Sequence, residues 1–270
     1  MTTSWQIRAI KAPATGGSPC AHALPTHTSP PTGSKLLWLD ANLGTFQNTG
    51  LTTPSVNMGA VGGWQDQSGT GFHQTNSDGP TQPTLHQNVQ NGLSAVHYDG
   101  TNDFLRNSSG PTHIWDSGAT VLMALNIASG QAGARTIFCR HTYWYIGLET
   151  ISAVDARLKL SVDFTGSDGT WRSFDPVITF DNWQILTIQY DANSVVNDAY
   201  LARTCSAATT EEASTPSGAR RTEVGFGFDT GGRGDNNNIA MHLGELLIYD
   251  GILSTADREH GEGYLANKWL

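Results

Sequence analysis

From Lys35 onward the chain is cut into short stretches that alternate apolar and polar residues with a period of two, each bounded by Gly, Asn, Asp or Ser. That period sends successive side chains to opposite faces of a strand, so many such stretches specify a sandwich or barrel rather than a helical bundle. Leu158, Leu160 and Val162 alternate with Lys159, Ser161 and Asp163, and Val224, Phe226 and Phe228 line one face of another stretch. Trp183–Tyr190 carries apolar residues on both faces, which predicts a central strand, and Ile239 to Tyr249 predicts the last long one. Further strands are predicted at Leu36–Leu39, Leu93–Tyr98, Thr120–Ile127, Arg135–Cys139 and Tyr143–Leu148. Helical periodicity arrives only at the end. There Ser254-Thr-Ala-Asp257 reads as a capping box ahead of a segment with Tyr264, Leu265 and Trp269 on one face. Gly261 and Gly263 weaken that helix by ~1 kcal/mol each relative to Ala, so packing must hold it.

Composition agrees. Only 14% of the 270 residues are charged and 30 are Gly, the mix of a β protein with polar loops. The formal net charge of -9 argues against a basic groove for nucleic acid. No run approaches the ~18 apolar residues of a membrane span, so no membrane insertion is expected. Cys20, Cys139 and Cys205 are odd in number and widely spaced, unsuited to a zinc site, and Cys139 in its apolar run reads as a buried thiol.

Three regions are predicted. Residues 1–12 hold an alternating Trp5, Ile7, Ala9 pattern that either docks as an added strand, an N-terminal anchoring arm, or frays as free termini do. Residues 13–35 form a Pro/Gly/Ser-rich linker with Pro13, Pro19, Pro25, Pro30 and Pro31, of semi-extended character. Residues 36–270 form the folded domain. The amino terminus carries two positive charges but no apolar run after them, so no secretory signal is expected.

Several motifs then resemble one family. Leu37-Trp-Leu-Asp-Ala41 is similar to its first strand, and Trp64-Gln-Asp-Gln-Ser-Gly69 to its Trp-x-Asp-x-Ser-Gly turn. Val96-His-Tyr-Asp-Gly-Thr-Asn-Asp-Phe-Leu105 resembles a Phe-Asp-Gly-x-x-Asp-x-Leu signature, with Tyr98 in place of Phe. Gly244-Glu-Leu-Leu-Ile-Tyr-Asp250 and Tyr264–Trp269 resemble the last strand and closing helix. Together, across residues 36 to 270, these resemble the concanavalin-A-like lectin/glucanase superfamily, in its laminin-G-like jelly-roll branch. The resemblance implies an all-β fold: a two-sheet antiparallel jelly-roll sandwich with a short C-terminal helix and an extended N-terminal arm. It does not fix function, since lectins, enzymes and structural modules share this superfamily.

Glycan hydrolases of the superfamily carry Glu-x-Asp-x-Glu on one strand, which puts a nucleophile and an acid on one face. The seven Glu here (149, 211, 212, 223, 245, 259 and 262) offer no such pair on a predicted strand, and Glu245 stands alone. Lyase-like members need a His, a Tyr and a basic pair; His141 and Tyr143 are a fragment of that set. No catalytic residues are therefore assigned. Sugar binding asks instead for aromatic faces that stack on pyranose rings and planar polar groups that fork onto hydroxyls. Tyr143 and Trp144 in one stretch, and Trp171 and Arg172 after a Gly-rich loop, meet that need; the competing reading makes both Trp sandwich core. Trp38, Trp64, Trp183 and Trp269 sit in structural motifs and are expected in the core. The long loop Phe228–Asn238 offers Asp229, Arg233 and Asp235 to a ligand, or is a solvated tip. Asp99 and Asp103 are weak candidates for calcium, against the alternative that they cap their own turn. No other cofactor is expected, and the nine His, His97 and His242 among them, show no paired metal spacing.

The sequence thus points to a non-enzymatic glycan-recognition module. An anchor, a stiff spacer and a distal jelly roll suit a phage-like virion surface, fibre or decoration protein, present in many copies so that weak sites gain avidity. Its partners would be host cell-surface polysaccharide and, through residues 1–12, another virion protein; it would be made in a host cytoplasm. The alternatives are a purely structural assembly protein, a polysaccharide-cleaving enzyme without the usual motif, and a bacterial protein that is cytoplasmic or exported without a signal.

Overall fold

Ala240–Asp250 forms an eleven-residue strand, β17, whose near-continuous burial is that of a strand covered on both faces. The fold is built around it. The computed structural model describes residues 27–107, 118–140, 144–164, 167–190, 196–203, 206–213, 229–230 and 238–270; the predicted arm at residues 1–12 and the predicted strand at Val224–Phe228 lie outside them. One sheet runs in the order β15 (Ser206–Ala213), β14 (Val196–Arg203), β13 (Trp183–Tyr190), β8 (Ala119–Ile127), β17, β6 (Leu93–Asp99), β5 (Thr84–Gln90), with β1 (Lys35–Asp40) also paired to β17. The second runs β12 (Ser167–Thr179), β11 (Asp155–Phe164), β10 (Trp144–Thr150), β9 (Ala134–Arg140), β16 (Asp229–Thr230), β7 (Leu105–Arg106), β4 (Gln74–Thr75), β3 (Gly63–Trp64), β2 (Thr45–Phe46). Every pairing between these strands is antiparallel. This is the two-sheet sandwich that the alternation predicts, closed by helix α1 (Thr255–Trp269).

The eight-stranded sheet buries both faces, and the period of two sorts its residues between them. Leu186, Ile188, Val121, Met123, Leu246 and Ile248 join Trp64, Phe138 and Leu158 in the core between the sheets. Ile185, Leu122, Ala124, Leu247 and Tyr249 face the other way, where Tyr264, Leu265 and Trp269 of α1 cover them. Two of the four structural Trp differ from expectation. Trp64 and Trp269 are fully buried, whereas Trp38 and Trp183 are half-buried at the rim of the helix cluster, Trp183 stacking on Trp269 at 4.8 Å. Another difference lies at Ser167–Thr170, which read as a Gly-rich loop but already belongs to β12. Pro176 is tolerated because β12 is an edge strand whose register against β11 shifts there.

Side chains lock the turns. The Asp66 carboxylate accepts from the Trp38 and Ser68 amides at 2.9 Å, the Phe72 amide at 3.1 Å, and the hydroxyls of Ser68 and Thr70 at 2.8 and 2.7 Å. Burial alone would raise its pKa, but these donors hold the carboxyl below the usual carboxylate range. Helix α1 starts as the capping box requires, the Ser254 hydroxyl accepting from the Asp257 amide at 3.2 Å.

The helix is fastened at its far end by a buried carboxylate. Glu245 on β17 is fully buried, and its Oε1 accepts from Trp38 Nε1 and the Tyr264 hydroxyl, each at 2.8 Å. Its Oε2 accepts from Lys268 Nζ at 2.7 Å and Trp269 Nε1 at 3.2 Å, and Lys268 also donates to Asp40 of β1. Gly244 beside it admits Trp269: a Cβ at residue 244 would lie 2.4 Å from the indole. Gly261, a cost in an isolated helix, allows α1 to sit on β8, since a Cβ there would meet Leu122 at 2.7 Å.

The N-terminal side of the domain is also tied down. His27 stacks on His260 of α1 at 3.6 Å between ring centroids, and His260 Nε2 donates to the Ser29 carbonyl at 3.0 Å. The buried Pro31 offers its carbonyl to Lys35 Nζ at 2.7 Å and the Tyr249 hydroxyl at 3.1 Å. The Pro-rich segment therefore lies along the helix from His27 onward.

Replacing Glu245 by Leu is expected to cost about 3–5 kcal/mol in denaturant unfolding, because it leaves a buried cation and three buried donors short of an acceptor. Gly244→Ala is expected to lower stability by about 1–3 kcal/mol through overpacking against Trp269, read as a drop in melting temperature.

Candidate functional site

The sequence-predicted sugar-binding residues that the structure describes all fall on the nine-stranded sheet, and strand register decides which share a row. Trp171 pairs with Ser161, Ser161 with Tyr145, Tyr145 with Cys139, and Cys139 with Asp229, which pairs in turn with Arg106. Six strands thus contribute one residue each to a single cross-strand row spanning ~24 Å at ~4.8 Å per strand. The row continues through Thr75 and Gly63 to Phe46 at the far edge. Arg106 is exposed and Cys139 is buried as the sequence predicts. Trp144 pairs with Val162 and Arg140, and Arg172 with Leu160, so both occupy the alternate rows on either side. Tyr143, Arg233 and Asp235 lie outside the described residues, as does His141.

Asp99 and Asp103 serve their turn. Asp103 Oδ2 accepts from the Asp99 amide at 2.9 Å, and Asp99 Oδ1 from the Thr101 amide at 2.7 Å. Gly100 adopts φ +78°, and a Cβ there would lie 2.8 Å from the Ala240 amide nitrogen, which is why the turn needs glycine. Burial, with the Asp99 charge adding to it, pushes the Asp103 carboxyl up to about 6 against the pull of the Asp99 amide. Among the described residues no group of three or more His, Cys, Asp or Glu could hold a metal ion. Glu245 on β17 is taken up by the helix clamp, and burial raises its carboxyl above the usual range.

A cluster not expected from sequence sits on the helix side of the eight-stranded sheet. The rings of His86, His97 and His242 lie within 4.3 to 5.0 Å of one another, and His242 Nε2 is 3.1 Å from His86 Nδ1. Thr84 Oγ1 is 3.2 Å from His86 Nε2. His97 pairs with His242, His242 with Asn126, and Asn126 with Trp183, a second cross-strand row. The signal for it was Asn91-Gly92, a two-residue hairpin dipeptide between two alternating runs. It joins β5 to β6, and the β5 bulge after His86 then sets His86 opposite Ala95. Burial lowers all three pKa values; His86 further disfavours the cation on His97, which Asp99 favours, and both rings add to the burial that pushes His242 down to about 4.

No family model matches the chain, and no curated protein matches it in sequence. Solved structures share its fold. The receptor-binding domain of a botulinum neurotoxin mosaic serotype C/D aligns over 86% of this chain and 51% of its own, at 12% identity and TM-score 0.55. A structure of botulinum neurotoxin type C, whose cell entry is dependent upon interaction with two ganglioside molecules, aligns over 86% and 51% at 13% identity and TM-score 0.53. Domain 4 of an extracellular arabinanase from Geobacillus stearothermophilus, in complex with arabinotriose, aligns over 86% and 98% at 13% identity and TM-score 0.54. The chain spans about half the length of the toxin chains and nearly all of the arabinanase domain. These likenesses establish the sandwich fold.

Because the three His bind protons more weakly folded than unfolded, the unfolded chain takes up more protons below pH ~6.5, and stability falls as pH drops from there towards 4. Asp103, raised to about 6, contributes in the opposite sense over the same window but equally in wild type and His242→Gln. The wild type is therefore expected to lose melting temperature relative to His242→Gln as pH drops from about 6.5 towards 4, and equal pH slopes in the two proteins would contradict the cluster.

Proposed function

We propose that this chain is a non-enzymatic glycan-recognition module of the concanavalin-A-like, laminin-G-like type. The observation that carries the reading is the cross-strand row on the nine-stranded sheet. Trp171, Tyr145, Asp229 and Arg106 fall in register there: two aromatics, a carboxylate and a guanidinium, the chemistry that oligosaccharide binding uses. The row is as long as several sugar residues, which suits a polymer more than a single small molecule. The arabinotriose and ganglioside interactions of proteins with the same fold support the reading without assigning a ligand to this one. Binding rather than cleavage is favoured because the carboxylate on β17 is sealed into the helix clamp.

The proposal extends to setting. The arm and Pro-rich spacer ahead of His27 support multi-copy display on a particle such as a virion, where avidity multiplies weak single-site affinity. Electron microscopy of particles labelled with an antibody to this protein tests that part, and labelling confined to soluble fractions would refute it.

The binding reading is tested with the full chain on a printed array of neutral and anionic glycans. The wild type is expected to retain at least one glycan class, and Trp171→Ala to weaken that binding about tenfold, the scale of one aromatic contact, with an unchanged melting temperature. Release of reducing ends from any retained polysaccharide would overturn the non-enzymatic reading.

A further inference from the structure

The edge strands β5 of the eight-stranded sheet and β2 of the nine-stranded one meet at one rim of the molecule. A groove of about 320 Å³ opens there, between the turn that joins β1 to β2, Pro54–Ser55, and residues of β5 and β6. Its volume is at the small end for ligand pockets, room for a sugar unit rather than a nucleotide or a folded partner. Among the described residues, no Asp, Glu, Lys, Arg or His lines it. In a chain with a net charge of -9, such a lining offers no counter-charge to a phosphate, sulfate or carboxylate and no anion to an amine.

What the groove does offer is neutral and polar. Gln87 is an exposed carboxamide, able to donate and accept at once, and Ser94 across from it brings a hydroxyl. Neither side chain makes a hydrogen bond among the described residues. Paired donor and acceptor groups are what vicinal hydroxyls require, while Leu43, 57% exposed, presents a carbon surface for the C–H face of a ring.

The walls are fixed beforehand. Asn42 donates to Asp40 Oδ1 at 3.0 Å and accepts from the Ser94 amide at 2.8 Å, tying the turn to β6. The Gly44 carbonyl accepts from the Gln65 amide at 2.7 Å, and a Cβ on Gly44 would lie 2.7 Å from Gln67 Nε2, so the turn is packed from behind. On the other side the Asn57 carboxamide accepts from the Gln87 amide at 2.9 Å. A preformed site loses less entropy on binding. Phe46, at the end of the long cross-strand row, also lines the groove, so the two features meet at one edge.

We propose that this groove is a subsite for an uncharged, hydroxyl-rich sugar unit, held by Gln87 and Ser94 against Leu43. The assignment rests on the glycan reading above and adds to it a place and a ligand class. The test uses the full chain and the neutral oligosaccharide best retained on the array. Gln87→Ala and Ser94→Ala, both surface changes, are expected each to weaken its binding at least fivefold in calorimetric titration, with wild-type melting temperatures. Amide NMR shifts on titration are expected at Leu43, Gln87 and Ser94. Binding unchanged in both variants, or shifts confined to the nine-stranded face, would overturn the groove while leaving glycan recognition standing. Retention of anionic glycans alone would overturn the uncharged class, and a wild type that retains no glycan would remove both readings.

Discussion

The structure depends on one buried anion. Glu245 is a carboxylate with no access to water, and it is tolerated because four donors from two elements converge on it. Those donors come from β1, from the middle of α1 and from its last turn, so a single acidic side chain on β17 fixes the first strand and the final helix against the middle of the sheet. Burial draws the Lys268 pKa down, but the two carboxylates facing it outweigh that and raise it, keeping the ammonium charged. The same stretch gains its close helix contact from Gly244, where strand register shifts and the Trp269 indole fills the space a side chain would take.

With the helix so fastened, the two faces of the eight-stranded sheet become different environments. One is the apolar interior shared with the nine-stranded sheet. The other is dry under α1 and polar beyond it, where three imidazoles, Asn126 and Trp183 continue the surface towards β5. Strand β5 therefore carries two neighbouring residues with separate roles, His86 in the imidazole cluster and Gln87 in the edge groove. Alternation of side chains along an extended backbone is what allows adjacent residues to serve opposite sides.

Much of this was legible beforehand. The period-two runs located most of the long described strands to within a few residues, because burial on one face leaves a direct trace in sequence. The Ser254 cap and the Asp66 turn were legible for the same reason: each is a local hydrogen-bond pattern at fixed spacing. What could not be read was anything set by register between distant strands. Trp171 and Asp229 are 58 positions apart yet share a row, and His86 and His242 are 156 apart yet lie within hydrogen-bond distance. Glu245 looked isolated because its donors lie elsewhere in the chain, Trp38 207 positions away and Lys268 23. Residues 167–170 misled in the opposite way, since Gly and Ser in a long two-stranded ribbon carry the composition of a loop.

The strap from His27 to Pro31 has a geometric consequence. It sets His27, where the described residues begin, beside α1, on the layer opposite the nine-stranded sheet. If the leading segment is the anchor proposed above, a grip on it would hold the molecule by its back, leaving the broad front and its open rim turned outward. Under the proposed function, attachment and presentation would then fall at opposite poles of the domain.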